Sequence, residues 1–397
     1  MHVVRSGIDV LLAEPPAWQH QRIAMVTNHA ATTQHFQTTR LALLQAGFNI
    51  VQLFSPEHGL DATGADGRIM PDGMDALTGL PVTSLYGNRL GPSREDLAGI
   101  ELVLFDMPDI GCRFYTYLWT MTYVMEACAA CAIPLVVADR PNPLSGNLLL
   151  AEGPLLNEAH CSSFIGRWNM PVRHSCTLGE LALYFNASRK IGCTVEVIAC
   201  TGWRRSMFFT DYGHSFVPCS PAITGFEPAL LYPGLCFLEA TNISEGRGTA
   251  TPFRVAGAPW MQSAQTAALF NSMVATNDGP AGVYARPVVF TPVEGKYAAR
   301  ECKGVMLHIS DPASFRSVRT GWLLLWLIKD LHPGLFEWAP YPTHVNRTGV
   351  DHLDLLAGMR GTEPLFASGL SDFRQEAEKW LSAGEWQEST WPFLIYK

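Results

Sequence analysis

Four short apolar runs set the limits on what this chain can fold into. Residues 22–27 (RIAMVT), 50–54 (IVQLF), 100–105 (IELVLF) and 133–138 (IPLVVA) are rich in β-branched residues and nearly free of charge. A strand with one wet face alternates apolar and polar residues, whereas an unbroken apolar run suits a strand buried on both faces. Helix-compatible segments lie between the runs, at 36–46 and 117–131. Strand–helix alternation at this spacing predicts an α/β chain with a doubly wound, mostly parallel sheet. A further strand is expected at 194–199. A helix is expected to start at Thr177, because Thr177-Leu-Gly-Glu180 fits a capping box, in which hydroxyl and carboxylate satisfy free backbone donors.

The texture changes at 218–234. Pro218, Pro221, Pro228 and Pro233 crowd together with Gly225 and Gly234, which predicts a linker or long crossing loop. Beyond it, 281–310 reads as strand and 316–331 and 372–383 as helix. Two domains are therefore expected, 1–224 carrying the parallel sheet and 225–397 a smaller α+β unit that closes a cleft.

Composition excludes several classes. Asp and Glu exceed Lys and Arg, 36 to 28, so the counterion release that drives nucleic-acid binding has no source. The longest apolar stretch, Gly321 to Ile328, stops at Lys329 and Asp330, well short of a membrane span. Asp9 and Glu14 flank only Val10 to Ala13, which is no secretory signal, so a cytoplasmic location is expected of the chain as it stands. Ten cysteines are scattered singly, and the one close pair, Cys128 and Cys131, has no second pair to complete a zinc site. They read as buried thiols.

Polar residues gather where each run ends. The first is followed by Asn28-His29, the second by Ser55-Pro-Glu57-His58-Gly59. The third gives Asp106-Met-Pro-Asp109 and continues to Arg113-Phe-Tyr115, and the fourth gives Asp139-Arg140-Pro-Asn142. In an open parallel sheet the ligand crevice lies at the carboxyl ends of the strands. The second domain has one comparable segment, Glu239 to Thr249, holding Asn242, Glu245 and Arg247 between paired glycines. The motifs GxSxG and HExxH are absent, the Walker lysine pattern fails at Tyr297, and Gly246 and Gly248 lack the third glycine of a dinucleotide loop. No metal or cofactor is expected. Two carboxylates across a cleft are the minimum for glycoside hydrolysis, one a general acid with a raised pKa. Glu57 and Glu245 fit, one from each domain, with Glu57 set beside Pro56 where burial would raise its pKa.

Longer strings carry a family resemblance. FSPEHGL (54–60), TGLPVTSLYG (78–87), FDMPDIGCRFYTY (105–117), ADRPNPLSG (138–146), EGPLL (152–156), TLGELALYFN (177–186) and TNISEGRGTATPF (241–253) resemble the exo-β-N-acetylmuramidase family over nearly the whole chain. The resemblance implies a Rossmann-like first domain, an interdomain active site and release of N-acetylmuramic acid from the non-reducing end of peptidoglycan fragments, either muropeptides or disaccharides. Carried over by position, Glu57 is general acid or base tuned by His58, and Glu245 is the second carboxylate. Asp106, Asp109 and Asp139 would orient the sugar, any one of them able to replace Glu245, with Asn28, Tyr115, Asn142 and Asn242 among the binding residues. Arg113, Arg140 or Arg247 would grip the lactyl carboxylate of muramic acid. Retention, inversion and attack by the substrate's own acetamido oxygen all stay open. The family's usual Asp-Ile-Gln-Asp is here Asp106-Met107-Pro108-Asp109, and its Ser-Pro-Asn is Ser220-Pro221-Ala222, which implies altered sugar or peptide contacts. Competing readings are a metal-dependent hydrolase using His58, Asp106 and Asp109, and a non-catalytic binder of wall sugars.

Overall fold

A computed structural model describes residues 3–276 and 280–397. Among these residues ten strands form two sheets: β1 (Ile23–Val26), β2 (Ile50–Ser55), β3 (Gly73–Met74), β4 (Pro81–Ser84), β5 (Leu102–Phe105), β6 (Leu135–Ala138), β7 (Val195–Ile198), β8 (Val255–Ala258), β9 (Val283–Phe290) and β10 (Cys302–Ile309). The first sheet has the order β3-β4-β2-β1-β5-β6-β7, all parallel except β3. The second is antiparallel, β8-β10-β9. The architecture is an α/β first domain with a smaller α+β second one, as the alternation predicts.

Every residue of β1, β5 and β6 is buried, which is why these runs show no alternation. Side chains still alternate between faces. Ala24 and Val26 join an apolar cluster that continues through the helix Tyr117–Cys131 to Val305 and Trp322 of the second domain. Ile23 and Met25 face a separate cluster with Ile8 and Leu11 of the helix Gly7–Ala13. Val26 is paired with Phe54 on one side and Phe105 on the other, so β1, β2 and β5 end in register and release their polar followers at one edge. The Thr177–Glu180 capping box is present at the start of the helix Leu178–Ser188.

The proline-rich segment departs from expectation. Residues Phe226–Leu235 form a helix rather than a loop. Pro228 lies in its first turn, where a missing N–H costs nothing, and Pro233 lies near its end. A Cβ on Gly234 would stand 2.0 Å from the Ser317 carbonyl oxygen, and one on Gly321 would stand 2.1 Å from that of Gly234. The glycines let this helix cross the apolar helix Ser317–Leu331 at backbone contact. No helix among the described residues is long and apolar enough to cross a membrane.

Candidate active site

The principal cleft has a volume of about 780 Å³ and takes its walls from both domains. Glu57 is its most unusual group. The chain leaves β2 at Ser55 and reverses through His58 and Gly59, both at positive φ (70° and 77°). A histidine there is uncommon, and such backbone strain tends to cluster at functional positions. The turn aims the Glu57 carboxyl inward, leaving the residue 6% exposed. Oε2 accepts from the Thr116 hydroxyl at 2.7 Å and Oε1 from the Gly67 amide at 3.0 Å. Burial pushes its pKa above the usual carboxylate value, and nearby Asp66 adds to this. His58 and the two hydrogen bonds pull the other way without cancelling it. His58 donates from Nδ1 to the Gly64 carbonyl at 2.8 Å, which leaves Nε2 as the basic nitrogen of the neutral ring.

The second domain contributes an ionic network centred on Arg247. Its guanidinium lies 2.6 Å from Glu239, 3.3 Å from Glu245 and 3.6 Å from Asp66, and 4.7 Å over the Phe253 ring. The other oxygen of Glu239 meets His352 Nε2 at 3.0 Å. Lys296 lies 3.2 Å from Glu245 and donates to the carbonyls of Leu238, Glu239 and Ile243. Burial would raise both glutamates, but Arg247 beside Glu239 and Lys296 with Arg247 beside Glu245 outweigh it, and both are held below the ordinary range. The cleft thus sets a carboxyl biased towards its acid form against one biased towards its anion, which is the electrostatic division that acid and anion roles require.

Of the sequence candidates, Glu57, His58, Tyr115 and Arg247 line this cleft. Glu239, Asp66, Tyr86 and Tyr341 line it as well without having been singled out for roles. Glu245 stands behind Arg247 and is not part of the lining, so the acid of its segment that faces the cleft is Glu239.

The remaining candidates are placed elsewhere, each for a visible reason. Arg113 is fully buried and donates to the carbonyls of Pro154, Met170 and Leu356. Asp139 accepts from Thr177, Gly179 and Tyr396 and is enclosed. Asn28 bonds the Tyr117 hydroxyl and the Ala30 amide. Asn142 bonds Cys176 and Leu144, and Asn242 bonds Leu335 and Glu337. Asp106 pairs with Arg140 at 2.6 Å. Arg140 and Asp109 line a separate cavity of about 90 Å³. His58 and Asp109 therefore belong to different cavities, and the metal trio His58, Asp106 and Asp109 is not assembled. No cluster of three or more His, Cys, Asp or Glu suited to a metal occurs among the described residues. The expectation that an arginine is free to read a lactyl carboxylate also changes, since Arg247, the one arginine among the described residues that lines the cleft, already faces three carboxylates.

Residues 23–227 match the family model described as exo-β-N-acetylmuramidase NamZ, N-terminal, and residues 230–396 the one described as its C-terminal counterpart. The peptidoglycan β-N-acetylmuramidase NamZ of Bacillus subtilis (strain 168) is 38% identical over 337 residues, 84% of this chain and 80% of that protein. Crystal structures of two DUF1343 family proteins from Bacteroides fragilis NCTC 9343 share the fold. One has a TM-score of 0.87 at 27% identity, covering 100% of both chains. The other has a TM-score of 0.74 at 25% identity, covering 99% of both.

Proposed function

This chain belongs to the exo-β-N-acetylmuramidase NamZ family, and we propose that Glu57 is the general acid with which it cleaves peptidoglycan fragments. The family makes it a peptidoglycan glycoside hydrolase. Its substrate is then a β-1,4-linked fragment presenting N-acetylmuramic acid at the non-reducing end. One observation carries the role of Glu57: a carboxyl on the cleft wall, almost fully buried, has its pKa raised by that burial above the ordinary carboxylate value, the bias towards the protonated form that a general acid needs. Glu57 gives its proton to the glycosidic oxygen as the bond to the muramyl carbon breaks, so the leaving sugar departs with a free hydroxyl, and water then bonds the muramyl carbon and gives up a proton to yield N-acetylmuramic acid. The positive charge that develops on the muramyl ring is offset by the acidic wall of Asp66 and Glu239. Arg247 holds those two carboxylates together. Phe290 and Tyr341, both part-exposed in the lining, give the sugar apolar surface.

The test is product analysis on N-acetylmuramyl-β-1,4-N-acetylglucosamine beside a chromogenic β-N-acetylglucosaminide. Free N-acetylmuramic acid from the first and no colour from the second are expected. A folded protein that releases nothing from the disaccharide would refute the proposal.

A further inference from the structure

The turn that follows the acid is held from the second domain. Gly67, whose amide donates to Glu57, uses its carbonyl to accept from the His344 amide at 3.2 Å. Its neighbour Asp66 accepts from the Tyr341 hydroxyl at 2.9 Å. Gly67 has φ +66°, and a Cβ there would stand 2.8 Å from Thr343 Cβ, so the two segments touch with no room between them. The 341–349 segment is braced on its own side. Tyr341 donates from its amide to Gly349, Thr343 bonds Asn346, and the Tyr341 ring stacks on His352 at 4.8 Å. A rigid strap therefore meets the two residues that adjoin the carboxyl.

We propose that Tyr341 is a positioning residue for the acid, its hydroxyl clasping the Asp66–Gly67 turn against Glu57. The proposal rests on the reading of Glu57 as general acid and adds the group that sets its surroundings. The charged and titratable groups facing Glu57 are His58 on its own turn, Asp66 on the next loop, Tyr86 after β4 and Tyr117 on the helix Tyr117–Cys131. Those facing Asp66 are Glu57, Tyr86, Arg247 and Tyr341, with His344 in the strap beside Gly67. Asp66 raises the pKa of Glu57 and the Gly67 amide lowers it, and Asp66 has the larger effect. Releasing the clasp lets Asp66 swing towards Arg247, so Glu57 loses its proton more easily.

The experiment is the pH dependence of kcat/KM for the wild type, Tyr341→Phe, Asp66→Asn and the double variant, with Glu57→Gln alongside. Phenylalanine keeps the ring that stacks on His352, so the strap stays folded. Tyr341→Phe is expected to move the basic limb to lower pH by about half a unit or more, as loss of a close charge does. Asp66→Asn is expected to move it the same way, and the double variant no further than Asp66→Asn alone. A Tyr341→Phe limb at the wild-type position, or shifts that add in full, would overturn the proposal while Glu57→Gln stays inactive. If Glu57→Gln keeps more than about a tenth of the wild-type rate, against the ~10²–10⁴-fold loss expected of a general acid, the acid assignment itself fails and the clasp has no acid to position.

Discussion

Replacing Arg247 with methionine should reverse the pH dependence of stability. The substitution keeps an apolar stem against Phe253 but removes the charge shared by Glu239, Glu245 and Asp66. Deleting one partner of a buried ion pair costs about 3–5 kcal/mol. The low end applies, because Lys296 still faces Glu245, His352 still faces Glu239, and the Asp66 side chain is 30% exposed and screened by water. In the wild type both glutamates have depressed pKa values. Their stabilisation is fully present above the unfolded value and is lost only as pH falls through the folded ones. Without Arg247, Glu239 loses the charge that most opposes its burial and its folded pKa rises above the unfolded value, while Lys296 still holds Glu245. Stability then falls as pH rises. Urea unfolding at pH 8 and pH 5 measures this. The variant should be about 3 kcal/mol less stable than wild type at pH 8, with the deficit at least ~1 kcal/mol smaller at pH 5. Equal deficits at the two pH values, or a deficit at pH 8 below ~1 kcal/mol, would refute the view that Arg247 neutralises a buried acidic cluster.

Other outcomes follow from the same structure. Gly234→Ala would drive a Cβ into backbone of the crossing helix at 2.0 Å, and should cost about 1–3 kcal/mol or more by overpacking, read as a lowered melting temperature. Gly73→Ala, with no atom within 4 Å, should change stability by less than about 0.5 kcal/mol in the same assay. Asp139 has a folded pKa raised from 3.8 to about 6 by burial, so the stability it contributes is present below the lower value and lost as pH rises through the upper. Asp139→Asn should therefore flatten the urea midpoint between pH 4 and 6. Dialysis against a chelator should leave the hydrolysis rate unchanged, and a rate restored by added divalent metal would revive the metal-hydrolase reading.

The edge of the sheet is legible in the sequence, but the partners of each residue on it are not. Glu57 is readable because it follows a buried strand and its turn residues aim it inward. Asp106, Asp139 and Arg140 obey the same strand-end rule, yet they are consumed by partners that arrive from far along the chain. Tyr396 reaches Asp139 from the C-terminus, and Thr32 supplies a carbonyl to Arg140. Periodicity places a side chain at an edge and says nothing of what will meet it there. The choice between Glu239 and Glu245 fails for a related reason. Both lie in one dense segment, and only the tight turn Cys236–Ala240 and the bridge from Ser244 to Gly257 decide which faces the cleft. Tyr341 and His352 carry no local signal, since Tyr341 reaches Asp66 from 275 residues away in sequence and His352 reaches Glu239 from 113. Pro228 and Pro233 misdirect because Pro228 falls in the first helical turn, where no N–H is needed, and Pro233 is carried inside a helix held by its packing on the helix Ser317–Leu331.

The most direct test of Glu57 as a proton donor compares Glu57→Gln on two substrates that differ in their need for a proton. In the disaccharide the leaving sugar departs as an alkoxide unless its oxygen is protonated. A dinitrophenyl N-acetylmuraminide releases a stable phenolate, which needs no proton. The account predicts a loss of about 10²–10⁴-fold on the disaccharide, the usual contribution of a general acid, and a rate near wild type on the dinitrophenyl substrate. An equal loss on both would contradict it, and would make Glu57 a group that acts on the muramyl ring rather than on the departing oxygen.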